Sequence, residues 1–199
     1  MKNYYEMVKE FHGHNGSMVE GRGNGPEVAA LRISLVVEEF AEVLAALRDG
    51  DTVAVADGLA DLLYVIAGTA VSYAVPAHNL TLELPLGMQA QVFEPRDTVA
   101  FARRVLPRIT RLAHALAVAP ADAADAVASL WEAVSEAGAR VWGLPMDALF
   151  REVHRSNMTK TFASAGAGAG GKYGSVNPKG PGYEPPDIAG ILQYAAQNA

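Results

Sequence analysis

Residues 26–76 read PEVAALRISLVVEEFAEVLAALRDGDTVAVADGLADLLYVIAGTAVSYAVP, and the fold turns on this stretch. Pro26 and Glu27 suit the first turn of a helix, where proline's missing N–H leaves no partner wanting and a carboxylate meets the positive end of the helix dipole. Ile33, Val36, Val37, Phe40, Val43, Leu44 and Leu47 then recur at helical spacing, and the helix runs to about Arg48 before Asp49-Gly50 stops it. Asp51 is placed to cap a second helix that runs to about Ala74, ahead of Pro76. Two long helices joined by so short a link, DGDT, pack antiparallel.

The other face of the first helix sets Glu38, Glu39 and Glu42 among Leu31, Leu35, Ala45 and Ala46, with no Lys or Arg three or four residues from any of the three. A solvated face normally mixes both signs of charge, so this helix is expected to be buried on both sides. In the second helix Asp57 and Asp61, one turn apart, are the only charged residues between Val53 and Ala77. Gly58, Ala60 and Gly68 near that face leave room for close approach, and Tyr64 continues it by a turn. Antiparallel pairing would turn the five carboxylates towards each other. Buried carboxylates need a cation or a proton, and hard oxygen donors without Cys or His suit Mg²⁺, with Mn²⁺ as a substitute. Because Mg²⁺ usually shares its shell with substrate phosphates, the cluster implies a phosphate-bearing substrate.

Outward from this pair the chain continues as helices, over about 1–12, 97–117, 121–142 and 146–156, with a last short one at Ile188–Ala196. Leu80, Leu82 and Leu84 alternate briefly, but Pro85 and Pro95 keep any strand short. Half of the 199 residues are hydrophobic and 19% are charged, which supports a buried core. A net charge of −6 argues against wrapping nucleic acid. The absence of cysteine excludes disulfides and thiolate chemistry. The uncharged run Leu62–Leu82 is interrupted by Pro76, so it reads as a core helix rather than a membrane span, and a cytoplasmic location is the default expectation. The organisation expected is one helical domain over 1–160, then a hinge containing GAGAGG and a Pro/Gly-rich tail over 161–199 packing on it. The GAGAGG run lacks the strand and helix of a dinucleotide loop. His12 and His14 read as loop surface, Trp131 and Trp142 as core.

A faint internal echo pairs Arg32-Ile33-Ser34 with Arg108-Ile109-Thr110 and puts Asp61 opposite Ser129. It would make 77–141 an extra or degenerate helical half. Near the end of the domain His154, Arg155, Ser156 and Asn157, together with Lys160, Lys172 and Lys179, form a donor-rich segment that reads either as a cationic helix end or as a phosphate clamp.

EExxE at 38–42, the following acidic pair in DGLADLLYVIAGTA, VHRSNMTK at 153–160 and the KGPGYEPPDI ending resemble the all-α nucleoside triphosphate pyrophosphohydrolases, in their MazG-like, phosphoribosyl-ATP pyrophosphohydrolase-like branch. The resemblance covers roughly 1–76 and 142–192. It implies an all-α fold with a four-helix-bundle core and a cytoplasmic oligomer, expected as a homodimer, with neither nucleic acid nor membrane as partner. It implies Mg²⁺ held by Glu38, Glu39, Glu42, Asp57 and Asp61, with Glu38 or Glu39 as the catalytic base. The substrate would be a nucleotide contacted by Tyr64, His154, Asn157, Lys160 and Lys172. The reaction implied gives a nucleoside monophosphate and pyrophosphate, as in nucleotide-pool cleaning, with phosphoribosyl-ATP hydrolysis or an inactive nucleotide-binding protein as alternatives. One departure stands out: where the family pattern ExxD puts an acid three residues before Asp61, this chain has Gly58.

Overall fold

A computed structural model describes residues 2–16, 25–82, 95–160 and 181–198, and these residues are helical with no strand among them. In chain order the helices are α1 (Tyr4–Asn15), α2 (Pro26–Asp49), α3 (Thr52–Ser72), α4 (Pro95–Val118), α5 (Ala123–Glu136), α6 (Met146–Met158) and α7 (Ile188–Gln197), with single turns at Ala77–Asn79, Pro120–Asp122 and Ala137–Val141. The 3₁₀ turn Ala77–Asn79 leads into coil over 80–82, in which Leu80 is buried. Leu84 and Pro85 lie outside the described residues. The second half of the expected 121–142 helix widens after Glu136 into a π turn, where the Trp142 N–H donates to Ala137 O.

α3 is the central helix. It packs against α1, α2, α5, α6 and α7, and fifteen of its residues are buried. By length and composition it could cross a bilayer, but the other helices enclose most of it. α2 also packs on α4, and α4 on α5, so α2, α3, α5 and α4 close a ring of four helices within the one chain. α1 is fastened across α6: the Tyr4 hydroxyl donates to Asp147 Oδ1 (2.5 Å), the carboxylate is forked by Arg151, and the Arg151 guanidinium lies over the Tyr4 ring. That pairing and burial raise the Tyr4 phenol above its ordinary range, burial contributing most.

α2 buries less than its sequence suggests. Val36, Phe40, Val43, Ala46 and Leu47 are in the core, but Val37 is 46% exposed and Glu38 and Glu42 face solvent. The stripe is set one residue aside of the expected face, so that Arg32 rather than Ile33 takes an interior position.

The two hairpins of the ring share one burial pattern. Val36, Phe40, Val43, Ala46 and Leu47 of α2 are buried, as are Val105, Ile109, Leu112, Ala115 and Leu116 of α4, each 69 positions on. Val55, Ala56, Leu59, Leu62 and Leu63 of α3 correspond likewise to Ala126, Val127, Leu130, Ala133 and Val134 of α5, each 71 positions on. This register also superposes the first residues of α3 and α5, Thr52 on Ala123; in it Arg32 falls on Phe101 and Asp61 on Glu132, where the echo in the sequence pairs them with Arg108 and Ser129.

Candidate active site

The α2–α3 turn is fixed by Gly50, whose positive φ of 70° lets its N–H reach back to Ala46 O and Leu47 O. The Asp51 carboxylate accepts from Ala54 N (3.0 Å) and starts α3. Two glycines of α3 then set the register. A Cβ at Gly58 would lie 3.0 Å from Val43 Cγ2, and one at Gly68 would lie 2.7 Å from Arg32 Nη1. Ten residues up α3 thus correspond to eleven down α2, and between these contacts Glu39 comes level with Asp61.

The electrostatics report the same meeting. The Glu39 carboxyl is pushed up to about 8, first by burial, then by the charges of Asp61, Glu42, Glu38 and Asp57 in that order. The other four acids read from the sequence therefore act on Glu39, two from α2 and two from α3. Glu38 and Glu42 are exposed, whereas Glu39, Asp57 and Asp61 are partly buried. Among the described residues no three His, Asp or Glu side chains already converge as a metal cage. Like charges at this density repel one another, and the two exposed glutamates are free to swing outward.

Gly58 now has a physical reason. Val43 is fully buried and β-branched, with few alternative rotamers, so a side chain at 58 would crowd it at 3.0 Å and a long one would have no room on this seam. Asp57, one residue earlier, is partly buried and adds to the field at Glu39 instead.

Tyr64 joins the acids to a second group. Its ring is buried, packed edge-on to Phe11 and tilted against Phe150, and its hydroxyl lies 3.0 Å from His154 Nδ1. Burial raises the phenol above its ordinary range; Asn157 hydrogen-bonds it with the opposite effect, while Asp61 and Glu10 add to the rise. His154 Nε2 is 3.6 Å from Glu10 Oε2, and Glu10 is bound to Lys2 (2.7 Å). Burial lowers the imidazole's proton affinity, and Glu10 works against that. Tyr64, His154 and Asn157 thus stand together beside Asp61. Lys160 joins them through its backbone: its N–H donates to Asn157 O, and its carbonyl accepts from His14 Nε2 (3.0 Å). Lys172 lies outside the described residues.

Arg155 and Ser156 are committed elsewhere. Arg155 bonds Glu152, Glu184 Oε2 and Pro185 O, Ser156 Oγ donates to Glu184 O, and Glu184 N donates to Thr159 Oγ1. Asp187 N donates to Glu152 Oε1, and Ile188 is buried. These residues of α6 hold the segment before α7 rather than a phosphate.

One polar pair escaped the sequence reading. His12 is not loop surface: it lies in α1, 3% exposed, with Nε2 3.3 Å from Nη2 of Arg32, itself 7% exposed. Gly68 is where α3 makes room for both. The available signal was an arginine in line with Val28, Val36 and Phe40, at buried spacing.

Residues 17–84, which span the EExxE segment and both acid-bearing helices, match the family model described as Phosphoribosyl-ATP pyrophosphohydrolase. No curated protein and no solved structure matches the chain.

Proposed function

We propose, from the premise that the chain belongs to the all-α NTP pyrophosphohydrolase, phosphoribosyl-ATP pyrophosphohydrolase-like superfamily, that it is a Mg²⁺-dependent hydrolase releasing pyrophosphate from a nucleoside triphosphate. The family itself supports the coarser statement, a pyrophosphohydrolase-type enzyme acting on nucleotide-like substrates. The observation that carries the finer reading is the Glu39 carboxyl, flanked by four further acids across the α2–α3 seam and raised to about 8.

The donor set fits a hard divalent cation. Five carboxylates on two rigid helices supply only oxygen, and the elevated proton affinity of Glu39 is the mark of a site short of positive charge. Glu38, Glu39, Glu42, Asp57 and Asp61 would hold Mg²⁺, with Mn²⁺ as a substitute, and the bound cation supplies positive charge against the substrate's phosphate oxygens. A carboxylate of Glu38 or Glu39 takes the proton of the attacking water as the new oxygen–phosphorus bond forms and the anhydride bond to the departing pyrophosphate breaks. Tyr64, His154 and Asn157 form the rim that orients the nucleotide, and Lys160 and Lys172 offset polyphosphate charge.

Product analysis with a panel of (d)NTPs and Mg²⁺, against EDTA controls, tests this directly. Monophosphate plus pyrophosphate from wild type, and none from Glu42→Gln with helicity retained, is the expected pattern. Unchanged turnover in that variant would sink the assignment. The match to the phosphoribosyl-ATP pyrophosphohydrolase family favours phosphoribosyl-ATP as a second substrate candidate. Gly58 at the ExxD position sustains a nucleotide-binding protein without turnover, which would shift its melting temperature with Mg²⁺-nucleotide yet release no product.

A further inference from the structure

A chain of polar groups crosses three helices at Tyr64. It begins on α1, where Glu10, exposed and bound to Lys2 (2.7 Å), sets Oε2 3.6 Å from Nε2 of His154 on α6. The other imidazole nitrogen, Nδ1, lies 3.0 Å from the Tyr64 hydroxyl on α3. Asn157, three residues on from His154, hydrogen-bonds the same phenol. Phe11, next to Glu10, packs edge-on to the Tyr64 ring, and His14 binds the Lys160 carbonyl, so α1 is held in register with the chain.

The chain has a direction. A neutral imidazole carries one proton, on Nδ1 or on Nε2. His154 is partly buried, and burial favours its neutral form against the pull of Glu10. A carboxylate 3.6 Å from Nε2 attracts an N–H there and repels a lone pair. The proton therefore sits on Nε2, and Nδ1 is left as an acceptor. Only the Tyr64 O–H can then supply the hydrogen of the 3.0 Å contact, and the phenol oxygen turns its lone pair to the Asn157 amide N–H. Donation runs from Asn157 to Tyr64 to His154 and ends at the Glu10 carboxylate, each link polarising the next. Lys2 and Arg151 are the other charges felt at His154, and Glu10 acts on it more strongly than either; Asp61 and Glu10 are those felt at Tyr64.

We propose that Glu10 is a positioning residue that fixes the Nε2–H tautomer of His154, and through it the proton of Tyr64 and the amide of Asn157. The proposal rests on Tyr64, His154 and Asn157 forming the rim that orients the nucleotide. Glu10→Lys reverses the charge at Nε2, so the proton should move to Nδ1 and the whole chain should turn round. Long-range proton–nitrogen correlation spectra of the full chain at about pH 8, without nucleotide, read the tautomer, with His154 identified by the signals lost in His154→Gln. The expected result is Nε2–H in wild type and in Glu10→Gln, whose amide carbonyl still accepts, and Nδ1–H in Glu10→Lys. With (d)NTPs and Mg²⁺, Glu10→Lys should lower kcat/KM about tenfold or more with helicity kept, and Glu10→Gln should restore most of it. An Nδ1–H tautomer in wild type, a tautomer that Glu10→Lys leaves unaltered, or a switch that leaves kcat/KM untouched would overturn the proposal. Because the spectra need no substrate, the expected switch without turnover in wild type would refute the hydrolase reading alone and support the direction of the chain.

Discussion

Replacing Glu39 by Gln removes one ionisable group from the centre of the acid cluster while keeping its shape. In the folded chain the Glu39 carboxyl titrates at about 8, against 4.5 for an ordinary glutamate. Between those values the folded protein holds a proton that the unfolded chain has released, so stability falls as pH rises from 4.5 towards 8. At about 1.4 kcal/mol per unit the whole shift corresponds to roughly 5 kcal/mol. Screening at a partly exposed carboxyl reduces the contribution to about 2 kcal/mol. For a chain of this size that is a difference of roughly 4–8 °C in melting temperature. Glu39→Gln in EDTA should therefore melt above wild type at pH 8, with the gap closing towards pH 5, where the wild-type carboxyl is already protonated. Saturating Mg²⁺ should raise wild type and narrow the gap at pH 8. Calorimetry at the two pH values decides it. A variant less stable than wild type at pH 8, or a gap independent of pH, would refute the reasoning from crowded carboxylates.

Gly58→Glu, which restores the family's acid by sequence, should lower the melting temperature by an amount equivalent to 1–3 kcal/mol rather than tighten Mg²⁺ binding, because Val43 fills that space; a rise in Mg²⁺ affinity by titration calorimetry with stability kept would contradict this. Gly68→Ala should cost about 2 kcal/mol in urea unfolding despite alanine's better helix propensity, since its methyl would displace the Arg32–His12 pair. Arg155→Ala should leave the helical core intact and make cleavage by chymotrypsin at Tyr183 several-fold faster, because Glu184 and Pro185 lose their bonds to the guanidinium; an unchanged digestion rate would show that the Ser156, Thr159 and Glu152 bonds together with buried Ile188 suffice to hold the segment.

Helix identity was legible because its signals are local. Pro26 at a first turn, Gly50 after the last and Asp51 as a cap each act within four residues, and α2 and α3 begin and end close to where those residues put them. α1 ran three residues past the expected end, through Gly13 and His14, because tertiary packing outweighs a glycine's modest helix penalty. The meeting of Glu39 with Asp61 was also readable, since a short link dictates antiparallel pairing. The reason for Gly58, the burial of His12 and the offset of the second hairpin were not readable, because each depends on which face of a neighbouring helix comes opposite. Val37 shows the limit well: it lies within the apolar arc of its own helix, yet the described residues leave it 46% exposed.

The ring of four helices is made by one polypeptide. Its two hairpins therefore meet by a first-order step that dilution does not reverse. A ring built by two identical subunits would have to write every residue twice, once on each side of the symmetry axis. A single chain is under no such obligation. It can place a glutamate at 42 and an arginine at 111 in equivalent positions of one scaffold, each free to change without altering the other.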